Sequence, residues 1–400
     1  MKTILLLWIF ISTLFANPLQ DAIDRASSGA IIKLQDGLYE GNIIIDKPLT
    51  IMGMGKQVHI KGTGKGSVVT IKSSSVILKN LIISNSGQNM QKIDAGIALT
   101  QVRDCEISHC RLFNVLYGID MNIVNNSRIT DNDISVTKNE ISLRGNALKL
   151  YYSSFNTVVN NSIHDSRDVT LNYSHHNLFE ANSFTNNRFA THLEMSNSNI
   201  FVKNSYQYNS VAMMFMGAKD TQVIGNKILS SRGAAGIGVM IGGVANFVFK
   251  ENLVRYNAKA LYIQGQEKAL GMKRYILNND ISYNMEAFHF HASIKDNTIK
   301  GNTIYANIDD VVKDVGGNFD VSNVVEYNYW DRYDGFDTNN DGVGDTPYRV
   351  YQYGDILWHD NNKIKFFYAA PVMSLLNFLL KLAPFMEPNM IMQDSKPIFR

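Results

Sequence analysis

The side chains best suited to bind a soft metal ion are methionines and histidines in the middle of the chain. They occur in pairs two residues apart, and thioether and imidazole groups are ligands that copper(I) and copper(II) accept. The pattern indicates a surface where copper, or a partner that handles copper, binds. The alternative is that a loop or a partner protein covers this face and the methionines serve packing. The copper candidates are His192, Met214, Met216, His289 and His291.

Oxygen donors near the end of the chain form a second candidate site. They stand at positions 1, 3, 5 and 9 of a loop with Gly342 at position 6, which is the spacing of a calcium-binding loop. Position 12 is Tyr348 rather than the glutamate of an EF-hand. A structural calcium ion and an Asn/Asp-rich turn are both compatible with this pattern. The calcium candidates are Asp337, Asn339, Asp341 and Asp345.

The chain has two cysteines, Cys105 and Cys110, with His109 between them. Two cysteines in a chain of 400 residues do not make a disulfide framework. Metal binding by this Cys-x4-Cys segment is one interpretation. The other is a pair of small apolar side chains in a core, joined by a disulfide if the chain turns between them.

These residues must be positioned by a repeat, which shows in the 43 asparagines of the chain. The unit is apolar-x-x-Asn-x-apolar and it recurs about every 22 residues, with Val, Ile, Phe and Tyr alternating between the markers. A period in the low twenties indicates a solenoid. At about 3.3 Å per residue, one unit makes a circuit of roughly 70 Å, which suits a coil with three short strands. The asparagines expected to stack as a structural ladder are Asn161, Asn182, Asn204, Asn226, Asn252, Asn279 and Asn302.

The repeat predicts which side chains face outward. Nine and eleven residues after each marker the positions are mostly apolar, so positions ten and twelve should point to solvent. Adjacent coils lie about 4.8 Å apart, so the outward residues of successive coils should lie side by side. The predicted outward pairs are His192/Glu194, Met214/Met216, Gly236/Gly238, Tyr262/Gln264 and His289/His291.

The sequence divides into four segments. Residues 1–16 read as a secretory signal, with Lys2 before the apolar run Ile4–Phe15 and Ala16 at the cleavage point; an uncleaved anchor is the alternative. Residues 17–330 carry the solenoid, which Pro18–Ser27 should cap as an amphipathic helix. This opening resembles that of right-handed β-helix proteins of the pectate-lyase-like superfamily. We therefore predict an all-β protein, a right-handed parallel β-helix with an N-terminal helical cap and a C-terminal helix.

The C-terminal part is different in composition. Residues 331–362 form an Asp/Asn-rich extension with the calcium-type loop, and residues 363–400 contain a helix over Pro371–Ala383 and a tail. So much apolar surface on one helix should be covered. It either caps the last coil or docks on a membrane protein or a lipid interface. The candidate docking residues are Val372, Leu375, Leu376 and Leu379.

The net charge and the positions of the acidic residues limit the functions that the sequence is compatible with. The net charge of +2 argues against nucleic acid as a partner, because such binding relies on concentrated positive charge. β-helix lyases and glycosidases need carboxylates in register on neighbouring coils. The repeats offer only Asp309, Asp310 and Asp314 with Lys313, and no carboxylate in register beside them. The sequence therefore favours a protein without enzymatic activity, and a carbohydrate-binding or carbohydrate-cleaving β-helix is the alternative.

The mature chain resembles the NosD family of nitrous oxide reductase maturation proteins. The resemblance rests on Arg188-Phe-Ala-Thr-His192-Leu-Glu194-Met195-Ser196, on Met213-Met214-Phe215-Met216, and on the tail from Asn328-Tyr-Trp330-Asp331 through Asp337–Tyr348. Phe189, Ala190 and Glu194 depart from the family's pattern, and Glu194 stands where the family has a methionine.

This resemblance implies a periplasmic factor that is not an enzyme and that helps to assemble the copper–sulfide centre of nitrous oxide reductase. It implies an ABC transporter permease with its ATPase as the partner, and peripheral membrane association through that transporter. Nitrous oxide reductase is the expected client, copper a transient ligand, and a copper chaperone a further candidate partner.

Overall fold

The chain folds into a right-handed parallel β-helix, as the repeat and the resemblance predict. The computed structural model describes residues 17–136, 140–233, 235–264, 273–291, 293–314, 319–352, 371, 372, 375, 379 and 389–399. Within these residues, three parallel sheets contain 13, 13 and 12 strands, and each strand pairs with the strands three before and three after it. That order is what a chain coiling through three sheets in turn must produce.

The strands are short, as expected for a coil of about 22 residues. Sheet 1 contains β1 (Ala30–Leu34), β4 (Leu49–Gly53), β7 (Ile77–Lys79), β10 (Glu106–Ser108), β13 (Arg128–Thr130), β16 (Thr157–Val159), β19 (Leu178–Glu180), β22 (Ile200–Val202), β25 (Gln222–Ile224), β28 (Phe247–Lys250), β31 (Arg274–Leu277), β34 (Asn297–Lys300) and β37 (Val324–Glu326). Sheet 2 contains β2 (Gly37–Glu40), β5 (Val58–Lys61), β8 (Ile82–Ser84), β11 (Arg111–Phe113), β14 (Asp133–Ser135), β17 (Ser162–His164), β20 (Ser183–Thr185), β23 (Ser205–Gln207), β26 (Lys227–Leu229), β29 (Leu253–Arg255), β32 (Asp280–Ser282), β35 (Thr303–Tyr305) and β38 (Tyr329–Trp330). Sheet 3 contains β3 (Ile43–Ile45), β6 (Val69–Ile71), β9 (Ala95–Arg103), β12 (Tyr117–Asn125), β15 (Leu148–Tyr151), β18 (Asp168–Asn172), β21 (Phe189–Glu194), β24 (Val211–Met216), β27 (Ile237–Gly242), β30 (Lys259–Gln264), β33 (Glu286–His291) and β36 (Asp309–Lys313).

The marker asparagines stack between sheets 1 and 2, where each coil turns. The Oδ1 atom of Asn182 accepts hydrogen bonds of 2.9 Å from both the backbone N–H and the side-chain Nδ2 of Asn161. The same pair of bonds joins Asn204 to Asn226 and continues to Asn302 and Asn328. These side chains are buried, so the ladder satisfies backbone groups that the turn would otherwise leave without partners.

A short helix closes the N-terminal end. Helix α1 spans Pro18–Arg25, two residues shorter than Pro18–Ser27, with Asn17 accepting a hydrogen bond from the backbone N–H of Gln20. Pro18 occupies the first turn, where a missing N–H costs nothing. Leu19 and Ile23 are buried and cover the core of the first coil. Residues Ile141–Leu143 form a short 3₁₀ turn.

A two-stranded ribbon closes the C-terminal end. Strand β39 (Tyr348–Gln352) pairs antiparallel with β40 (Asn389–Asp394). Asp394 is completely buried, and its Oδ2 accepts hydrogen bonds from the backbone N–H and Nδ2 of Asn328 and from Nε1 of Trp330. A carboxylate thus occupies the next step of the asparagine ladder.

The ribbon corrects the expectation for residues 363–400, in which no strand was predicted. Val372, Leu375 and Leu379 are helical, but their side chains are 61%, 56% and 50% exposed. Burial against the last coil is therefore wrong for these three residues, because β40 already provides the cover. Leu376 and most of the remaining predicted helix lie outside the described residues, as does the proposed signal at residues 1–16. Where the chain is described, no helix has the length and apolar character needed to cross a membrane.

Candidate metal-binding face

The outer surface of sheet 3 carries a row of sulfur and nitrogen ligands. His192 of β21 pairs with Met214 of β24, and Met214 pairs with Met240 of β27. Because these are parallel neighbours in register, their side chains project from the same face, about 4.8 Å apart at the backbone. All three are half-buried. Met216 projects from the end of β24, beside Glu194.

Met240 lies beside Met214 at the position in this row where the repeat predicted Gly236. The sequence predicts Gly236 and Gly238 at the two outward positions of this coil, whereas the structure has Met240 and Gly242 there. The separation of ladder asparagines is 22 residues between Asn204 and Asn226 but 26 between Asn226 and Asn252. Four extra residues in the turn before β27 shift the strand, so the prediction for Gly236 and Gly238 is wrong.

Met195 adds another thioether at the edge of this row. Its backbone has a φ of 47° in the turn after β21, and Gly217 and Gly243 take the equivalent turn positions in the next two coils. The Met195 side chain lies over Gly217, where an added Cβ would be 2.7 Å from its Sδ. Sequence reasoning missed Met195 because it stands in the turn rather than at an outward strand position, although it lies in the family motif.

Glycine also makes room for Met216. A Cβ on Gly242 would lie 2.9 Å from the Met216 Sδ and 2.7 Å from Oε1 of Gln264. Any larger residue at 242 would therefore push both side-chain ends away. We call His192, Met195, Met214, Met216 and Met240 the Met/His face.

The imidazole of this face is available as a ligand. Burial lowers the pKa of His192, and the attractions of Asp168 and Glu194, which act in the opposite sense, are weaker. The ring packs against Phe189, with 5.4 Å between centroids. Metals bind the neutral imidazole, so a lowered pKa keeps His192 in its binding form at neutral pH. Glu194 is exposed and accepts a hydrogen bond of 2.8 Å from Nδ2 of Asn172.

His289 lies farther along the same row but is not exposed. Only 1% of its side chain is accessible, because it stacks on Tyr262 and bonds to two carboxylates. Nδ1 lies 2.5 Å from Glu286 Oε2, and Nε2 lies 2.7 Å from Asp314 Oδ2. Burial lowers the pKa of His289, but these hydrogen bonds outweigh it and the pKa is raised.

The predicted exposure of His289 is therefore wrong, since carboxylates occupy both of its ring nitrogens. His291 is exposed, with Nδ1 3.5 Å from the same Asp314 oxygen. Tyr262 stands between this pair and Met240 in the row. The structure thus separates the five predicted copper ligands into the Met/His face and a cluster of histidines and carboxylates two coils away.

The calcium-type loop is exposed and held by its own hydrogen bonds. Asp337 accepts from the backbone N–H groups of Asp341 and Gly342, and Asn339 Oδ1 accepts from Asp341 as well. Asp345 accepts from the backbone and hydroxyl of Thr338, which lowers the pKa of its carboxyl. These contacts are those of Asx turns. In the part of the chain that the structure describes, no three His, Cys, Asp or Glu side chains are placed to hold a metal ion.

The cysteines and the acidic cluster serve the fold. Cys105 and Cys110 are buried and free, and burial raises the pKa of Cys110 to about 12. Asp310 is also buried, and its Oδ2 accepts a hydrogen bond of 2.9 Å from the Tyr348 hydroxyl of the closing ribbon. These positions fit packing rather than a catalytic or metal-binding role.

Comparisons with known proteins identify the family. Residues 125–335 match the family model described as "Periplasmic copper-binding protein (NosD)". Two curated relatives are each called a probable ABC transporter binding protein NosD. That of Pseudomonas aeruginosa is 24% identical over 99% of this chain and 94% of its own length. That of Stutzerimonas stutzeri is 23% identical over 92% of this chain and 86% of its own.

Solved structures share the fold. The A-module of a mannuronan C-5 epimerase from Azotobacter vinelandii superposes with a TM-score of 0.57 at 15% identity, over 76% of this chain and 91% of that one. An exopolygalacturonase of Yersinia enterocolitica gives a TM-score of 0.54 at 10% identity, over 75% of each chain. At such identities the likeness concerns the β-helix alone.

Proposed function

Since the chain belongs to the NosD family, we propose that it is a periplasmic copper-binding protein that acts with an ABC transporter in the maturation of nitrous oxide reductase. Copper is the cargo in this proposal rather than a resident cofactor. Export would follow from a signal peptide at residues 1–16. Nitrous oxide reductase would be the client, and a copper chaperone the donor.

The Met/His face is the observation that carries the proposal. It offers four thioethers and one imidazole on three successive coils. Thioethers are soft, uncharged ligands that select copper(I) over magnesium, calcium or manganese, which prefer oxygen. His192 adds a nitrogen ligand that needs no deprotonation near neutral pH, since burial keeps its pKa low. Gly217 and Gly242 leave the space in which Met195 and Met216 lie.

The exposed helical residues supply the transporter contact in this proposal. Val372, Leu375 and Leu379 follow one another at intervals of three and four residues, which places them on one helical face. Three large apolar side chains exposed together on one face mark an interaction site. We assign this face to the permease, because the curated relatives carry an ABC-transporter name.

We propose binding rather than catalysis, and the contacts of the acidic residues support this. Asp310 is buried under the closing ribbon, and the carboxylates around His289 are neutralised by it and by Lys259. A β-helix glycosidase needs two accessible carboxyl groups facing one bond. Glu286 does stand in register with Asp309, against the expectation from the sequence, but the carboxylates of Glu286 and Asp314 both bond to His289.

Gene deletion followed by complementation tests the proposal. In a host that respires nitrous oxide, loss of this gene should leave nitrous oxide reductase low in copper and inactive, and the wild-type gene should restore both. A gene carrying M214L and M240L should fail to restore them at equal protein level. Full copper content and activity in the deletion strain would contradict the proposed role.

Co-purification tests the transporter contact separately. Replacing Val372, Leu375 and Leu379 with serine should abolish recovery of the permease. The matched control replaces Ile31, Leu38 and Ile44, which are 59%, 55% and 46% exposed on the first coil at the other end of the solenoid. Loss with both triple variants would refute a specific role for the helix, and retention with the helix variant would refute the role altogether.

A second candidate function, carbohydrate binding, has one observation in its favour. An open groove of about 550 Å³ lies at the turn between sheets 2 and 3 and is lined by Tyr256, Tyr283, Arg232 and Ile308 among others. The two tyrosine rings stack 5.7 Å apart and are exposed. Tyrosine and arginine suit a sugar face and its carboxylate. Titration with mannuronate and galacturonate oligomers, with Y256A/Y283A as control, tests this alternative; no binding at millimolar concentration removes it.

A further inference from the structure

Met195 differs from the other thioethers of the Met/His face in its exposure. Its side chain is 54% exposed, whereas Met214, Met216 and Met240 are half-buried. It is held at a φ of 47° in a turn where the next two coils have glycine, and a side chain in that left-handed region costs roughly 1 kcal/mol. The turn places Met195 at the rim of the face, with its sulfur over Gly217.

We propose that Met195 is an oxidation site that switches off copper binding: its conversion to methionine sulfoxide removes the outermost soft ligand of the Met/His face. This inference rests on the proposed function, because it assumes that the face binds copper(I). The oxidant is a peroxide. Exposed methionine oxidises before buried methionine, so Met195 should react first among the four.

The chemistry is a two-electron oxygen transfer. The Met195 sulfur attacks one oxygen of hydrogen peroxide, and an S–O bond forms as the O–O bond breaks. The other oxygen leaves as hydroxide, which takes the proton from the transferred oxygen and becomes water. The sulfur loses two electrons and the peroxide gains them. The product is polar, and its oxygen is a hard donor that copper(I) does not prefer.

The position of Met195 explains why its oxidation should affect copper binding. The Met195 sulfur lies against the backbone of Gly217, which directly follows Met216. The backbone N–H of Gly217 already donates to Gly242 O, and that of Met195 donates to Met216 O, so neither is free to receive the new oxygen. Oxidation therefore replaces the thioether at this position by a polar sulfoxide that neither of these two N–H groups can bind.

The test exposes the metal-free full chain to limited hydrogen peroxide, maps each methionine by mass spectrometry, and then titrates copper(I) against a competing chelator. We expect Met195 to oxidise before Met214, Met216 and Met240, and the affinity for copper(I) to fall about 10-fold or more, as when a supporting metal ligand is removed. Treatment with methionine sulfoxide reductases, which reverse the modification, should restore the affinity.

Two variants separate the site from general damage. M195L should bind copper(I) more weakly, and the same peroxide dose should not lower its affinity further. M54L removes a methionine that is 50% exposed on a distant coil, and it should behave as the wild type does. Complete Met195 oxidation with unchanged affinity, or an equal peroxide-dependent loss in M195L, overturns the inference and leaves the proposed function standing. Absence of copper(I) binding before peroxide removes the proposed function and the inference with it.

Discussion

The carboxylate of Asp394 ends the asparagine ladder, and its replacement should loosen the C-terminal coil. In D394A, two buried donors lose their acceptor: the backbone N–H of Asn328 at 3.2 Å and Trp330 Nε1 at 2.9 Å. Asn328 Nδ2 loses its 2.9 Å bond to the carboxylate but still donates to the carbonyl oxygens of Ile299 and Glu326. A buried donor left unpaired costs about 1–3 kcal/mol. Burial raises the pKa of Asp394, so burying the carboxylate opposes folding and offsets part of this loss. We expect D394A to lower the free energy of unfolding by about 3–5 kcal/mol.

D394N is the matched control, because an amide oxygen can still accept from the same three donors. Its Nδ2 would then face the backbone N–H of Lys396, which now donates to Asp394 Oδ1 at 3.0 Å. The expected loss is about 1 kcal/mol, that of a single hydrogen bond. Urea unfolding followed by circular dichroism gives both values, and hydrogen exchange should show faster exchange in β37, β38 and β40. Equal stability of D394A and the wild type would refute the assigned capping role.

Three further outcomes follow from the structure. Burial raises the pKa of Asp310 to about 6, above the value of about 4 in an unfolded chain, so the folded protein holds that proton more tightly and wild-type stability should fall as pH rises from about 4 to about 6. The variant D310N should remove this pH dependence and be about 2 kcal/mol more stable than the wild type at pH 7. A free energy of unfolding in urea that does not change between these pH values would contradict the prediction. Asn226 is buried in the middle of the ladder and accepts hydrogen bonds from the backbone and side chain of Asn204. The variant N226A should therefore lower the free energy of unfolding in urea by about 3 kcal/mol. A loss below about 0.5 kcal/mol would refute the contribution of the ladder to stability. G242A should weaken copper(I) binding several-fold in a chelator titration with little change in stability, because only the flexible ends of Met216 and Gln264 must move; unchanged affinity would argue against a role for Met216.

The fold could be predicted from sequence because one physical requirement repeats in every coil. A buried turn must satisfy its backbone groups, and an asparagine at the same step does so in each coil, so the asparagine period reports the coil length directly. The closing strand β40 could not be predicted in the same way. It lies outside the repeat, and its key residue is an aspartate whose partners, Asn328 and Trp330, are more than 60 residues away in sequence.

The candidate site could be predicted only in part. His192 and Met214 lie in coils of regular length, and the register placed them side by side. Met240 was missed because the turn before β27 is longer than in the preceding coils. The repeat pattern does not show at which point of the coil the extra residues are inserted. The burial of His289 depends on Asp314, which contacts it from the following coil. The repeat predicts which side chains of a coil face outward, but not which residues of the next coil cover them.

Copper(I) titration of the purified chain tests the central claim most directly. The wild type, the M54L control and the variant H192A/M214L/M240L are each titrated anaerobically against a chromogenic copper(I) chelator, with circular dichroism to establish equal folding. The account predicts that wild type and M54L take copper from the chelator with the same affinity, and that the triple variant loses at least about 100-fold, since three ligands are removed. Equal affinity of the folded triple variant and the wild type would contradict it.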